Sequence, residues 1–337
     1  MNLQTIWGLF QETFSEWQKD KASRLAAALS YYTIFSIAPL LIIVIAVAGA
    51  AFGEAAATNA IFNQLQGLIG AEGAKVIQNA IDNANRPRAG TIASLISIVV
   101  LLFGATGLFT ELQDALNTIW EVQPKPGKAM KNMVRQRFLS FAMILAIGFL
   151  LLVSLVISAV LQGIINYFSH LLPGVDFIWQ FINFFLGFAI TTVLFGLIFK
   201  VLPDAKITWK DVLIGAVITS LLFSLGRYAL GHYLGNATFG STYGAAGSIV
   251  VILVWVNYAA QILFFGAEFT QVYSRKYGSR IVPANYAVPI SESDRLQQGL
   301  KPNSQKSSTK KSGSNWASNL FSRFPHSKRL KRTRKNR

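Results

Sequence analysis

Thr33-Ile-Phe-Ser-Ile-Ala-Pro-Leu-Leu-Ile-Ile-Val-Ile-Ala-Val-Ala-Gly-Ala-Ala-Phe52 runs without an acid, a lysine or an arginine. A helix needs about 20 such residues to cross about 30 Å of hydrocarbon, and a soluble helix of that length keeps a polar face. Five more runs of similar length follow, at Thr91–Thr110, Phe138–Gln162, Phe177–Phe199, Val212–Leu230 and Ser248–Phe269. The pattern predicts an all-α, polytopic integral membrane protein with six transmembrane helices.

Composition agrees with that solvent: 52% of residues are hydrophobic and only 14% charged, the balance of a chain largely dissolved in lipid. The absence of cysteine excludes disulfides, thiolate metal sites and cysteine nucleophiles. No short apolar core stands near the N-terminus, so no cleavable signal peptide is expected. The net charge of +16 is unevenly placed: twelve basic residues and no acid lie from Lys301 onward, which leaves +4 for the first 300 residues. The charge therefore belongs mainly to a tail and is no sign of a nucleic-acid-binding fold.

Loop charges set the orientation, because lysine and arginine in short loops stay on the cytoplasmic side. Lys19, Lys21 and Arg24 precede the first span, and Lys125, Lys128, Lys131, Arg135 and Arg137 separate the second from the third. Lys200, Lys206 and Lys210 follow the fourth span, and Arg275, Lys276 and Arg280 follow the sixth. Asn166–Asp176 and Gly231–Gly247 hold neither lysine nor arginine, while Gly53–Gly90 mixes Lys75, Arg86 and Arg88 with Glu54, Glu72 and Asp82. Both termini are thus expected in the cytoplasm of a bacterium, with the chain in its inner membrane.

Segments outside the spans also carry patterns. Leu3, Trp7, Phe10, Phe14 and Trp17 recur at helical spacing among glutamines and glutamates, which predicts an amphipathic interfacial helix within residues 1–30. Residues 31–276 form the membrane domain, and within it 54–90 is expected as an external helical hairpin through Ile61, Leu65, Ile77 and Ile81. Residues 277–337 are expected as a disordered basic cytoplasmic tail, since its polar composition buries too little to fold. Its end carries Trp316, Leu320, Phe321 and Phe324 before Lys328-Arg-Leu-Lys-Arg-Thr-Arg-Lys335. Such a segment is either an anchor to anionic lipids, each basic residue contributing about 1 kcal/mol near the leaflet, or a solvated tail.

Four stretches carry a family resemblance: Ala26-Ala-Ala-Leu-Ser-Tyr-Tyr-Thr-Ile-Phe-Ser-Ile-Ala-Pro39, Leu112-Gln-Asp-Ala-Leu-Asn-Thr-Ile-Trp120, Leu202-Pro-Asp-Ala-Lys-Ile-Thr-Trp209, and Tyr243-Gly-Ala-Ala-Gly-Ser248 leading to Gly266-Ala-Glu-Phe269. In order and spacing they resemble the YihY/BrkB family of bacterial inner-membrane proteins, formerly labelled ribonuclease BN. The resemblance covers about Lys19 to Lys276 and implies six helices and an inner-membrane location. The tail after Ile290 departs from it.

The ribonuclease label finds little support in the residues. Metal-dependent phosphodiester cleavage needs clustered carboxylates or histidines, yet His170, His232 and His326 are scattered. Glu111 and Asp114 share a helix face, with Glu121 further along, but as surface carboxylates near Lys128 and Lys131 they make a weak metal site. No Gly-x-x-x-x-Gly-Lys sequence occurs, which argues against an ATP-driven pump in this chain. No catalytic residue, cofactor, metal or nucleic-acid partner is expected. The expected partner is the lipid bilayer, and a homo-oligomer is compatible with the sequence.

Polar groups inside the spans are then the place to look for function. Arg227 lies about 22 Å beyond Val212 at about 1.5 Å per residue; it either lines a path for an anionic substrate or snorkels to the outer phosphates. Asn257, Gln261 and Glu268 share one face of the sixth span and are expected to face the bundle, as inter-helix hydrogen-bonding groups or as the lining of a cavity. Glu268 is expected near the cytoplasmic interface, within reach of Lys200 or Arg275. Gln180 and Asn183 form a smaller outer patch. Ser220 and Ser224, then Gly231 and Gly235, mark close helix approach, and Gly235, Gly240, Gly244 and Gly247 punctuate an external segment that either re-enters the bundle or turns at its surface. Pro39, with Ser36 before it, predicts a kink.

Three functional classes fit these residues. The first is a transporter or permease for an amphipathic or anionic substrate such as a lipid. The second is a structural, envelope-maintenance protein, and the third is a membrane-bound nuclease.

Overall fold

The computed structural model describes residues 2–84, 91–125, 134–135, 138–139, 141–146, 148–150, 153, 157, 176–235 and 239–301. Helix α1 (Leu3–Lys19) is followed by α2 (Ala22–Phe52), α3 (Glu54–Ala84), α4 (Thr91–Ile119), α5 (Asp176–Val201), α6 (Trp209–Gly235) and α7 (Phe239–Lys276). A short helix α8 (Glu292–Gln297) lies near the C-terminal end. Ala22–Ala50, Phe184–Val201, Trp209–Ala229 and Ile249–Lys276 are long and apolar enough to cross a membrane. Four of the six expected spans therefore stand as such. The second run is helical within α4, and the third lies mostly outside the described residues.

Exposure follows the membrane reading. Phe103, Phe184, Phe185, Leu225, Tyr228 and Val250 are exposed on the outer surface of the bundle, an arrangement that costs little in lipid and much in water. The main core lies inside, where Leu116, Ile119, Phe199, Val212, Phe264 and Ala267 are fully enclosed and belong to one cluster. A second cluster joins Leu41 and Ile45 of α2 to Ile77 and Ile81 of α3 and Ile252 of α7.

The fold is mostly helical, as expected, with two short antiparallel ribbons besides: β1 (Val122–Pro124) with β4 (Ala287–Pro289), and β2 (Ala205–Lys206) with β3 (Val282–Pro283). Residues 277–301 are therefore not a disordered tail. Tyr277–Ile290 is threaded between the loops after α4 and α5, with Ile290 N donating to Glu121 O at 2.8 Å and Ala284 N to Asp204 O at 2.9 Å. Ser291–Lys301 belongs to a separate unit, in which the Ser291 hydroxyl caps α8 by accepting from Asp294 N at 3.1 Å. Residues 302–337 lie outside the described set.

The expected external hairpin is instead one unbroken helix, α3, of 31 residues. Gly53, with φ of 86°, makes the tight turn from α2 into it, a conformation that glycine takes without a Cβ clash. The segment around Gly240, Gly244 and Gly247 is likewise helical as the first turns of α7, so it is not a loop. Lys21, Glu121 and Arg280 adopt left-handed backbone where α2 begins and where α4 and α7 end. Each costs about 1–2 kcal/mol for a residue with a Cβ, held in place by the packing of neighbouring helix ends.

Candidate functional site

The two flanks of α7 differ. Toward α6 the helices interlock in antiparallel register. A Cβ at Gly215 would overlap Thr270, and a Cβ at Gly266 would overlap Thr219, so each glycine is the notch for a threonine of the other helix. Both threonine hydroxyls donate to a carbonyl one turn back on their own helix, Thr219 to Gly215 O and Thr270 to Gly266 O, each at 2.7 Å. The hydroxyls, which lie nearest the glycines, are thereby satisfied within their own helices. The seam continues outward with Tyr258 seated against Gly226, its hydroxyl donating to Leu222 O at 3.3 Å. Inward it ends at Asp211, which accepts from Ser274 Oγ and from Ser279 N, both at 3.0 Å.

Small residues do mark this approach, as expected of helices packing in membranes, but they are Gly215 and Gly266. Ser220 is fully buried one position along from Thr219. Gly-x-x-x-Thr occurs at both Gly215 and Gly266, and that repeat was the available signal.

Toward α2 the packing opens. Ala27 and Ser30 face Leu253, Val254, Tyr258 and Ile262 across a groove of about 620 Å³, and Asn257 and Gln261 lie in the same lining. Gln261 Nε2 donates to Asn257 Oδ1 at 3.1 Å, which leaves the outer N–H groups and the Gln261 carbonyl for other partners. Ser30 is buried and donates to Ala26 O, whereas Ala27 and Val254 are exposed at the mouth.

The third member of the expected stripe behaves differently. Glu268 has no exposed surface, which corrects its placement at a solvated interface. Phe264, Ala267, Glu268, Thr270, Val272 and Ser274 are all fully buried, so α7 is largely enclosed through its C-terminal half, with Phe265, Gln271 and Tyr273 half-buried. Its two suggested partners are engaged elsewhere: Lys200 donates to Ile207 O and lies 5.6 Å over the Trp209 ring, while Arg275 pairs with Glu12 at 2.7 Å.

Arg227 is exposed on α6 and is not part of the groove lining. The structure thus brings Asn257 and Gln261 together and leaves Arg227 apart. The side chains of Gln180 and Asn183, and the surroundings of Gly231, Gly235 and Gly244, lie outside the described residues, while Gly247 is buried. Pro39 sits within the unbroken α2 against α4, where a Cβ at Gly104 would stand 3.0 Å from its ring. Ser36 Oγ accepts from Leu108 N at 3.2 Å.

Where α4 and α5 end, the quoted stretches around Leu112–Trp120 and Leu202–Trp209 meet, with Ala267 of the last one close by. Asp204 is the hub, accepting from Gln113 Nε2 at 3.1 Å, Asn117 Nδ2 at 3.0 Å and Arg135 Nη1 at 3.0 Å. Its own N–H donates to Asn117 Oδ1 at 2.8 Å, and Arg135 also donates to the Tyr286 hydroxyl. Burial holds that hydroxyl above its ordinary value; Arg135 pulls it down and the Asp204 charge pushes it up. Trp120 Nε1 reaches Ala267 O at 3.3 Å. No composition or period could reveal this hub, although Gln113 and Asn117 stand one helical turn apart.

Helix α1 docks on the end of α7. Leu9 and Thr13 are buried, and the Phe10 ring lies 5.5 Å from that of Phe269. Arg275 bridges Glu12 and Glu16, and Lys276 pairs with Glu12. Burial alone would raise the Glu12 carboxyl, but Lys276 and Arg275 outweigh it and hold the group below its ordinary value. The opposite face presents Trp7 and Phe14, 67% and 52% exposed.

Residues 13–290 match the family described as virulence factor BrkB, a range ending where the clamped segment ends. Among curated proteins, the chain is 27% identical over 277 residues to a UPF0761 membrane protein of Teredinibacter turnerae, covering 80% of this chain and 61% of that one. It is 26% identical to UPF0761 membrane proteins of Mannheimia succiniciproducens, over 78% of this chain and 88% of that one, and of Haemophilus influenzae, over 80% and 94%. The chain therefore spans about three fifths of the Teredinibacter protein's length. No solved structure matches.

Proposed function

The chain belongs to the virulence factor BrkB family of membrane proteins, and on that premise we propose that it is a permease-like protein of the bacterial inner membrane, both termini cytoplasmic, for an amphipathic or anionic substrate such as a lipid. One observation carries the reading: Asn257 and Gln261 sit inside a span yet face a groove, where helix packing alone would have used them as bonds between helices. Amides in hydrocarbon are costly unless paired, so an open amide pair is suited to a ligand that brings polar atoms of its own. The described lining carries no charge, which favours an amphipathic substrate over recognition by charge.

The test is lipid movement in vesicles containing the purified chain. Scrambling of a fluorescent phosphatidylethanolamine should fall about tenfold when Asn257 and Gln261 are both changed to leucine, the factor one ordinary hydrogen bond carries. Arg227→Ala should leave it unchanged. Equal rates in all three proteins, or no movement in any, would remove the reading.

A second reading, a structural or envelope-maintenance role without a transported substrate, is favoured by the Asp204 hub, where the quoted stretches serve helix packing. We also hold that the chain is no nuclease. RNA cleavage by the purified chain, lost in Glu111→Ala, would refute this.

A further inference from the structure

We infer that the groove between α2 and α7 is a lateral binding site for one glycerol phospholipid drawn from the surrounding bilayer, whose ester region hydrogen-bonds to Asn257 and Gln261. The inference rests on the permease reading for its meaning but not for its test.

The walls select the source of the ligand. Both helices are membrane-crossing, α2 through Ala22–Ala50 and α7 through Ile249–Lys276, and the exposed Ala27 and Val254 stand at the groove's mouth. Whatever enters comes sideways, from lipid. Below the amides the way is shut, because Phe264, Ala267 and Glu268 are fully buried; the groove is a side pocket of the bundle and does not continue as an open bore along α7. Its volume of about 620 Å³ falls in the range of about 300–1,000 Å³ typical of small-ligand sites.

The floor selects the chemistry. Aliphatic Leu253, Val254 and Ile262 suit an acyl chain, and the amide pair offers N–H donors and one carbonyl acceptor to ester or phosphodiester oxygens. Asn257 and Gln261 lie about 12 and 18 Å along the axis from Ile249, and on the facing helix Ala27 and Ser30 lie about 8 and 12 Å from Ala22, at about 1.5 Å per residue. That sets the groove inside a hydrocarbon layer about 30 Å thick, toward the end where α2 begins. A lipid in the ordinary bilayer keeps its esters at the interface. One bound here has its polar neck drawn inward, the position a lipid takes part-way between leaflets. A second copy of this chain is a poorer occupant, since an apolar helix laid in the groove would leave the amides without partners.

The full chain in phosphatidylcholine–phosphatidylglycerol vesicles is photolabelled with a phosphatidylcholine bearing a diazirine beside its acyl ester. Residues 253–262 should label about tenfold above the lipid-facing Leu221–Leu225 of α6, a factor set by the bonds to the two amides. Ser30→Trp, which fills the groove from α2, should bring that signal to background, and Ala27→Trp at the mouth does the same should Ser30→Trp fail to fold. Asn257→Leu with Gln261→Leu should lower labelling by the ester probe and spare labelling by an alkyl diazirine without ester. Equal labelling of both helices, or labelling indifferent to the two tryptophans, overturns the site. So does a disulfide dimer formed by Ala27→Cys, which has no native cysteine to compete with it and would show a second copy there. A labelled groove in vesicles that scramble no lipid keeps the site and removes the permease; scrambling without a labelled groove does the reverse.

Discussion

One helix, α7, meets two neighbours on different terms. Against α6 it brings backbone to backbone through Gly215 and Gly266, with a threonine side chain seated hydroxyl-first in each notch. Against α2 it holds two amides beside open space. Without a hydrophobic effect between helices in lipid, close packing of small residues supplies the attraction, and on the α6 flank it runs unbroken along the seam. The α2 flank also packs, Ile252 lying with Leu41 and Ile45, but beside Asn257 and Gln261 it leaves a groove. On the proposed reading, close packing and ligand binding fall on adjoining faces of one helix, with Tyr258 belonging to both, and substitutions elsewhere on the two flanks should fail in different ways.

The largest effect is expected on the closed flank. Gly266→Val drives a branched side chain into Thr219, and overpacking of this kind costs about 1–3 kcal/mol or more; the chain should unfold at markedly lower temperature in detergent. Thr219→Gly in the same chain should restore part of the loss, and no restoration would show that the notch is not the cause.

Next comes the hub where α4 and α5 end. Asp204→Ala strips Arg135, Gln113 and Asn117 of their common acceptor. Breaking a buried pair costs about 3–5 kcal/mol, but Arg135 is one-third exposed and can turn to water, so about 2 kcal/mol is expected. Thermal unfolding measures it, and a loss within error of wild type would sink the hub.

On the open flank stability should hardly move. Asn257→Leu and Gln261→Leu should each change it by no more than about 0.6 kcal/mol, the average for polar contacts between helices in membranes. A much larger loss would mean the amides act as packing contacts, and the contrast between the flanks would vanish.

The smallest effect concerns α1. Glu12 lies below its ordinary carboxylate value of 4.5, so its contribution is complete above that pH and fades as pH falls through the lowered folded value. Thermal stability should drop more steeply below pH 4.5 in wild type than in Glu12→Gln. Parallel slopes would show that the clip to Arg275 and Lys276 adds nothing.

Much of this was legible in the sequence, unevenly. Long apolar runs gave α2, α5, α6 and α7 because lipid removes the need for a polar face, and the aromatic spacing from Leu3 to Trp17 gave α1. The placement of Asn257 and Gln261 on one inward face followed from helical period alone. The ribbons escaped, since strands of two or three residues pair Val122 with Pro289 across the chain and leave no period to see. The same applies to Asp204, whose partners come from three separate segments. Glu268 was misplaced because hydropathy locates the end of an apolar run, not the protein packed around it. The seam was misassigned to Ser220 and Ser224 because the spacing of small residues was sought within one helix, whereas the Gly-x-x-x-Thr repeat has meaning only when two helices are set side by side.

The account rests on the open flank being the working one, and blocking it is the direct trial. Lipid scrambling is measured in vesicles holding equal amounts of folded Ser30→Trp, which fills the groove, and Leu221→Trp, which alters an exposed position on α6. The expected result is a rate near that of empty vesicles for Ser30→Trp and a wild-type rate for Leu221→Trp; a wild-type rate in both would contradict it.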